Sequence, residues 1–119
     1  MSQTLSAGDY LVFQLESGYG LVRVLALVGA EADRIWHLCV YEELFADIES
    51  AEQALSRPEG LHYSKPHLAL TDRAFERTPV AKLGHRPLDA DELAPVGKWQ
   101  DDPHHQTFDR SLLLLLGMR

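Results

Sequence analysis

After the turn chemistry of Gly8-Asp9, Leu11, Phe13 and Leu15 alternate with Tyr10, Val12 and Gln14 at the period of two that marks a half-buried strand. ESGYG then breaks the apolar pattern. Leu21 to Val28 is apolar at nearly every position except Arg23, which predicts a central strand covered on both faces. Gly18 and Gly20 read as hairpin-turn glycines needing positive φ, with Tyr19 exposed at the tip. A polar break, GAEADR at 29–34, precedes IWHLCVY at 35–41, whose β-branched and aromatic residues predict a third strand. Three such strands in succession predict an antiparallel meander with the second at the sheet's middle.

From Glu42 the period becomes helical: Leu44, Ile48, Ala51 and Leu55 recur at i, i+4, i+7 and i+11. The expected helix covers about 42–56, with Glu42 and Glu43 complementing its N-terminal dipole and Arg57, Pro58 and Gly60 ending it. Shorter strands are expected near 67–70 and 80–84, bounded by Pro or Gly. Asp89 followed by Glu92 is a helix cap, but Pro95 and Gly97 limit the expected helix to about one turn. PVGKWQDDPHHQ is expected to be mostly loop, anchored by Trp99. The leucine run at 112–116 fits a buried strand and a short helix ending at Gly117 equally well. The pattern predicts one α+β domain over 1–119, a small antiparallel β-rich sheet with one main amphipathic helix.

A chain of 119 residues is long enough to bury a core without disulfides or metal. The single cysteine, Cys39, sits in an apolar run and reads as a small buried hydrophobe. MSQTLSAGDY carries no pattern of a secretory signal, and the leucine run is far below the roughly 20 residues that cross a bilayer, so a cytoplasmic location is expected. Asn is absent and Arg outnumbers Lys eight to three, a bias attributed to a GC-rich bacterial genome. The formal charge of -7 argues against a nucleic-acid surface, which needs clustered Lys and Arg, and suits a basic partner.

Motifs for catalysis and metal binding do not form. Asp101, Asp102, His104 and His105 are the densest group of ligand types, but adjacent histidines on an extended loop diverge and neither HExxH nor a Cys pair occurs. No metal and no cofactor are expected. His62 and His67 flank a Lys-Pro step and read as surface loop. GYG at 18–20 lacks the phosphate-loop pattern and joins two strands, and Ser50, Ser56, Ser64 and Ser111 show no nucleophile-elbow context. What stands out is charge: from Glu42 to Glu59 there are six acids and one base, Arg57. Acidic helix faces are usually solvated surface, yet they also attract basic proteins. Glu42, Glu43, Asp47, Glu49 and Glu52 are therefore the expected partner-binding residues.

The opening GDYLVFQLESGYGLVRVL, through Gly8, Asp9, Phe13, Leu15, Gly18, Gly20, Val22 and Val24, resembles the start of bacterial immunity proteins of the immunity protein 26 type. Gly97 to Trp99 is similar to a Gly-x-Trp that follows later strands in such proteins. The resemblance covers about the first 40 residues and one tripeptide. It implies a β-rich, SH3-like partial barrel that neutralises a toxin by binding it in the cytosol, and it supplies no catalytic residues. The expected function is a non-enzymatic, immunity-type toxin inhibitor. The alternative is a small-molecule-binding or enzymatic domain with a pocket near His37, Tyr63, Trp99 and His104. An exposed leucine tail would equally support a homodimer.

Overall fold

In the computed structural model, which describes residues 4–30 and 33–117, the first three strands form where the pattern places them. They are β1 (Asp9–Leu15), β2 (Gly18–Val28) and β3 (Ile35–Tyr41), followed by β4 (Tyr63–Thr71) and β5 (Val80–His85). The sheet runs β4-β3-β2-β1-β5, every pairing antiparallel, so β2 is its middle and β4 and β5 its open edges. Residues 31 and 32 of the polar break, and the first three residues of the segment read for a targeting signal, lie outside the described residues.

Helices cover both faces. On one, α2 (Asp72–Glu76) and α4 (Leu112–Leu115) pack Ala74, Phe75 and Leu112 against Leu11, Phe13, Val22, Val24 and Leu38. On the other, α1 (Ile48–Leu55) and α3 (Ala90–Asp101) pack Ala51 and Val96 against Tyr10, Val12, Leu21, Leu25 and Cys39. The architecture is a small α+β fold. β1 is buried on both faces rather than half-buried, because α1 and α3 cover the side that carries Tyr10 and Val12.

The glycines of ESGYG do a different job from the one expected. Glu16 and Ser17 make the turn, and Gly18 and Gly20 belong to β2; the positive-φ glycines among the described residues are Gly8, Gly29 and Gly117. Close approach is what demands glycine here. A Cβ on Gly20 would lie 2.2 Å from Cζ of Phe13, whose backbone pairs with it, and one on Gly18 would lie 2.4 Å from the carbonyl oxygen of Phe45. Tyr19 is half-buried, its backbone exchanging hydrogen bonds of 2.8 and 2.9 Å with Phe45.

That bridge explains why the main helix starts late. Pairing with Tyr19 holds the chain around Phe45 in bridge geometry, so α1 begins only at Ile48, capped by the Asp47 side chain, which accepts from the Ser50 backbone N–H at 2.8 Å. Leu44 is 56% exposed and Ile48 39%, leaving Ala51 as the fully buried member of the expected stripe. α3 differs in the opposite direction, running 12 residues through Pro95. Its capping box forms as expected, with the Asp89 carboxylate on the Glu92 N–H at 2.8 Å and the Glu92 carboxylate on the Asp89 N–H at 3.0 Å. Proline removes one backbone donor and crowds the preceding turn, but burial of Val96 keeps the helix docked past it. Trp99 anchors the following loop by donating from Nε1 to the Gln106 carbonyl at 2.8 Å.

The leucine run resolves as helix. Ser111 caps α4, Leu112 is buried, Leu114 is 68% exposed, and Gly117 ends the turn at φ 68°. Among the described residues, no helix is long and apolar enough to cross a membrane.

Candidate functional site

Arg23 is the single charged residue in an apolar strand, and its surroundings organise one face of the sheet. The side chain is fully buried. Its guanidinium lies 4.6 Å from the centre of the Tyr10 ring, donates to the Arg86 carbonyl at 2.6 Å and the Pro87 carbonyl at 3.3 Å, and pairs with the Glu92 carboxylate. A buried guanidinium is tolerable only when its donors and charge are matched. Here the segment entering α3 matches the charge and the two terminal nitrogens, while Nε is buried without a partner among the described residues, and that segment is thereby pinned across the sheet.

Tyrosines extend from this point. Tyr41 stacks between Tyr10 and Tyr63, with ring centres 6.2 and 5.4 Å away. Antiparallel pairing of Tyr41 with Tyr63 puts both rings on the same face. Above them opens a cleft of about 260 Å³, bounded by the Pro58–Gly60 turn on one side and the start of α3 on the other. Its lining includes Tyr10, Tyr41, Tyr63, Glu59, Asp89 and Glu92, with Arg86 contributing the one base. The Tyr10 hydroxyl is buried there without a hydrogen-bond partner. Burial pushes the Tyr41 hydroxyl far up, and the neighbouring Cys39, Tyr10 and Tyr63 add to the shift, so Tyr41 stays protonated.

The expected partner-binding acids divide by role. Glu42, Glu49 and Glu52 are exposed, the first just after β3 and the others on α1. Asp47 is the α1 cap, its carboxyl held low by the bond from Ser50. Glu43 accepts from the His62 backbone N–H at 2.7 Å and bonds His62 Nδ1 at 2.8 Å. Partial burial pushes Glu43 up, but these bonds outweigh it and hold the carboxyl below its usual range; the same bond and charge raise His62. Ligand-type atoms of Glu42, Glu43 and His62 lie within 4.8 Å of one another, but the His62 ring is engaged by Glu43, which favours its protonated form over a metal-binding one. Their place at the end of β3 and start of β4 sets them beside Tyr41 and Tyr63 in the chain.

Of the alternative pocket, the structure brings together His37 and Trp99, whose rings meet edge-on at 4.8 Å. Their companions are His67 and His105: His37 Nδ1 is 2.8 Å from His67 Nε2, and His105 stacks on Trp99 at 3.9 Å. Tyr63 lies instead over Tyr41, and His104 is exposed. His67 belongs to β4 rather than to a surface loop, with its ring turned toward β3. Burial, reinforced by His67 and His105, pushes His37 down to about 4, and burial lowers His67. Both rings are therefore neutral at pH 7, one donating to the other, while His37 Nε2 is buried without a partner.

Two further buried groups are structural. Asp9 accepts from Ser6 N–H at 2.8 Å, meets His85 Nδ1 at 2.7 Å and lies 3.3 Å from Lys82 Nζ, joining β1 to β5. Burial alone would raise its carboxyl, but these three contacts lower it. Cys39 is buried, and burial pushes its thiol up to about 11, which suits a packing residue rather than a nucleophile.

The acids expected at 42–52 do not line the tyrosine cleft, whereas Glu59, Asp89 and Glu92 do. Arg23, alone among apolar neighbours, was the available signal that a carboxylate from elsewhere must meet β2. No protein-family model matches the chain, and neither a curated protein nor a solved structure matches it.

Proposed function

We propose that the protein is a non-enzymatic bacterial binding protein, an immunity-type inhibitor that occludes the site of a basic toxin or enzyme in the cytoplasm. One observation carries this reading: carboxylates from separate parts of the chain, Glu59 on the turn after α1 and Asp89 and Glu92 at the start of α3, gather around one open cleft. Glu42, Glu49 and Glu52 extend the acidic surface of a chain whose net charge is already -7. Such a surface steers a basic partner toward one face and accelerates encounter. The rigid sheet behind it then presents a preorganised contact, which lowers the ordering cost of association.

Affinity capture from bacterial lysate at low salt, followed by quantitative binding of the captured protein, tests the reading. The triple variant Glu42→Lys, Glu49→Lys, Glu52→Lys is expected to lose the partner, and binding by the unaltered chain to weaken as salt rises. Unchanged binding by the variant would show that these acids are not the contact.

The buried, unpartnered Nε2 of His37 favours a second reading, a small-molecule site beside His37, His67 and Trp99. His37→Leu separates the two: it leaves capture of a protein partner intact under the first reading and abolishes ligand binding under the second.

A further inference from the structure

We propose that the tyrosine cleft is a receptor for a single arginine side chain presented by the partner protein, an inference that rests on the binding reading above and gives it a chemistry. The molecule already contains a worked example of the arrangement. Arg23 lies against the Tyr10 ring and pairs with Glu92, so aromatic face and carboxylate together hold a buried guanidinium beneath the cleft. One step outward the same two components, aromatic face and carboxylate, recur around the open cleft. Tyr63 is 46% exposed beside Tyr41, and Glu59 and Asp89, from separate segments of the chain, both line the cleft.

Charge selects a cation. Glu92 is already matched by Arg23 beneath the cleft, and Arg86, 3.9 Å from Glu92, is the one base in the lining among the described residues, so Glu59 and Asp89 leave one negative charge in excess. Shape selects guanidinium over ammonium, because a planar fork stacks on a tyrosine face and reaches two carboxylates at once. A space of about 260 Å³ suits one side-chain head group rather than a larger ligand. The Tyr10 hydroxyl supplies an independent pointer. It belongs to a cleft-lining residue only 3% exposed and has no partner among the described residues, and an N–H donor that reached it from the cleft would satisfy it.

The test is an NMR titration of the full chain with N-acetyl-arginine amide, using N-acetyl-citrulline amide as the uncharged isostere. Arginine is expected to give saturable shifts at Tyr63, Glu59 and Asp89, and citrulline none. Glu59→Gln and Tyr63→Ala are each expected to weaken binding by about fivefold, the scale of an exposed cation–π contact or charge contact. Asp89→Ser, which keeps a capping oxygen on α3, should do the same. A peptide carrying one arginine between glycines should bind at least as tightly as the blocked amino acid. Free L-arginine binding more tightly than that peptide would overturn the protein-partner source and assign the cleft to a small cationic metabolite. The proposal fails if arginine gives no saturation by ~10 mM, if citrulline shifts the same signals, or if the shifts map elsewhere. Arginine binding at the cleft while the unaltered chain captures no basic partner would remove the acidic-surface reading and leave the cleft standing.

Discussion

Arg23 and Glu92 form a buried ion pair that ties the middle strand of the sheet to the first turn of α3. Removing one member of such a pair leaves an uncompensated charge and costs about 3–5 kcal/mol, whereas replacing both by apolar groups costs much less. Glu92→Gln isolates the charge, since glutamine still serves the capping box. It is expected to lower unfolding free energy by about 3 kcal/mol in urea titration, and Arg23→Met added to Glu92→Gln to recover much of that loss. A double variant as unstable as the sum of its singles would mean that the pair is not coupled.

Gly20 owes its place to Phe13. Alanine there would drive a methyl into the ring, because its Cβ position is 2.2 Å from Cζ of Phe13. The expected cost of Gly20→Ala is about 1–3 kcal/mol, the range for overpacking a filled core. Phe13→Leu in the same chain should return part of it, measured as a partial recovery of the thermal midpoint. A cost unaltered by Phe13→Leu would point to the backbone of β2 instead.

These two contacts mark where sequence stops being sufficient. Alternation and apolar runs located β1 to β3 because burial on a sheet face acts at every second residue. The start of α1 escaped, since it depends on Phe45 pairing with Tyr19 from a distant hairpin, and Leu44 and Ile48 obeyed that pairing rather than their helical spacing. The length of α3 escaped too, because Pro95 argues locally against a helix that the packing of Val96 sustains. The cleft was legible only as a hint. Arg23 announced that some carboxylate must cross to β2, but which one is decided by how the chain returns after β5.

Cys39 is predicted to be inert in the folded protein. Its thiol is buried and pushed up to about 11, so at pH 8 the thiolate is scarce and shielded. Labelling with a thiol reagent should be negligible in native buffer and complete in denaturant. Rapid native labelling would place the thiol in reach of solvent.

The His37–His67 contact sets a pH dependence whose sign follows from burial. His37 is pushed from 6.5 to about 4, so between those values the unfolded chain binds a proton that the folded chain refuses. Stability is therefore full above pH 6.5 and falls as the pH drops through this window toward 4, by roughly 3 kcal/mol in total. His67, also lowered by burial, contributes in the same direction. The carboxyls of Asp9, Glu43 and Asp109 are all held low, and His62, raised by Glu43, gains rather than loses stability as the pH falls past 6.5, so the loss between pH 6.5 and about 5 belongs to His37 and His67. Urea unfolding across that range should show stability declining for the unaltered chain and no longer declining for His37→Leu combined with His67→Leu. An unaltered slope in the double variant would assign the pH dependence to groups outside this pair.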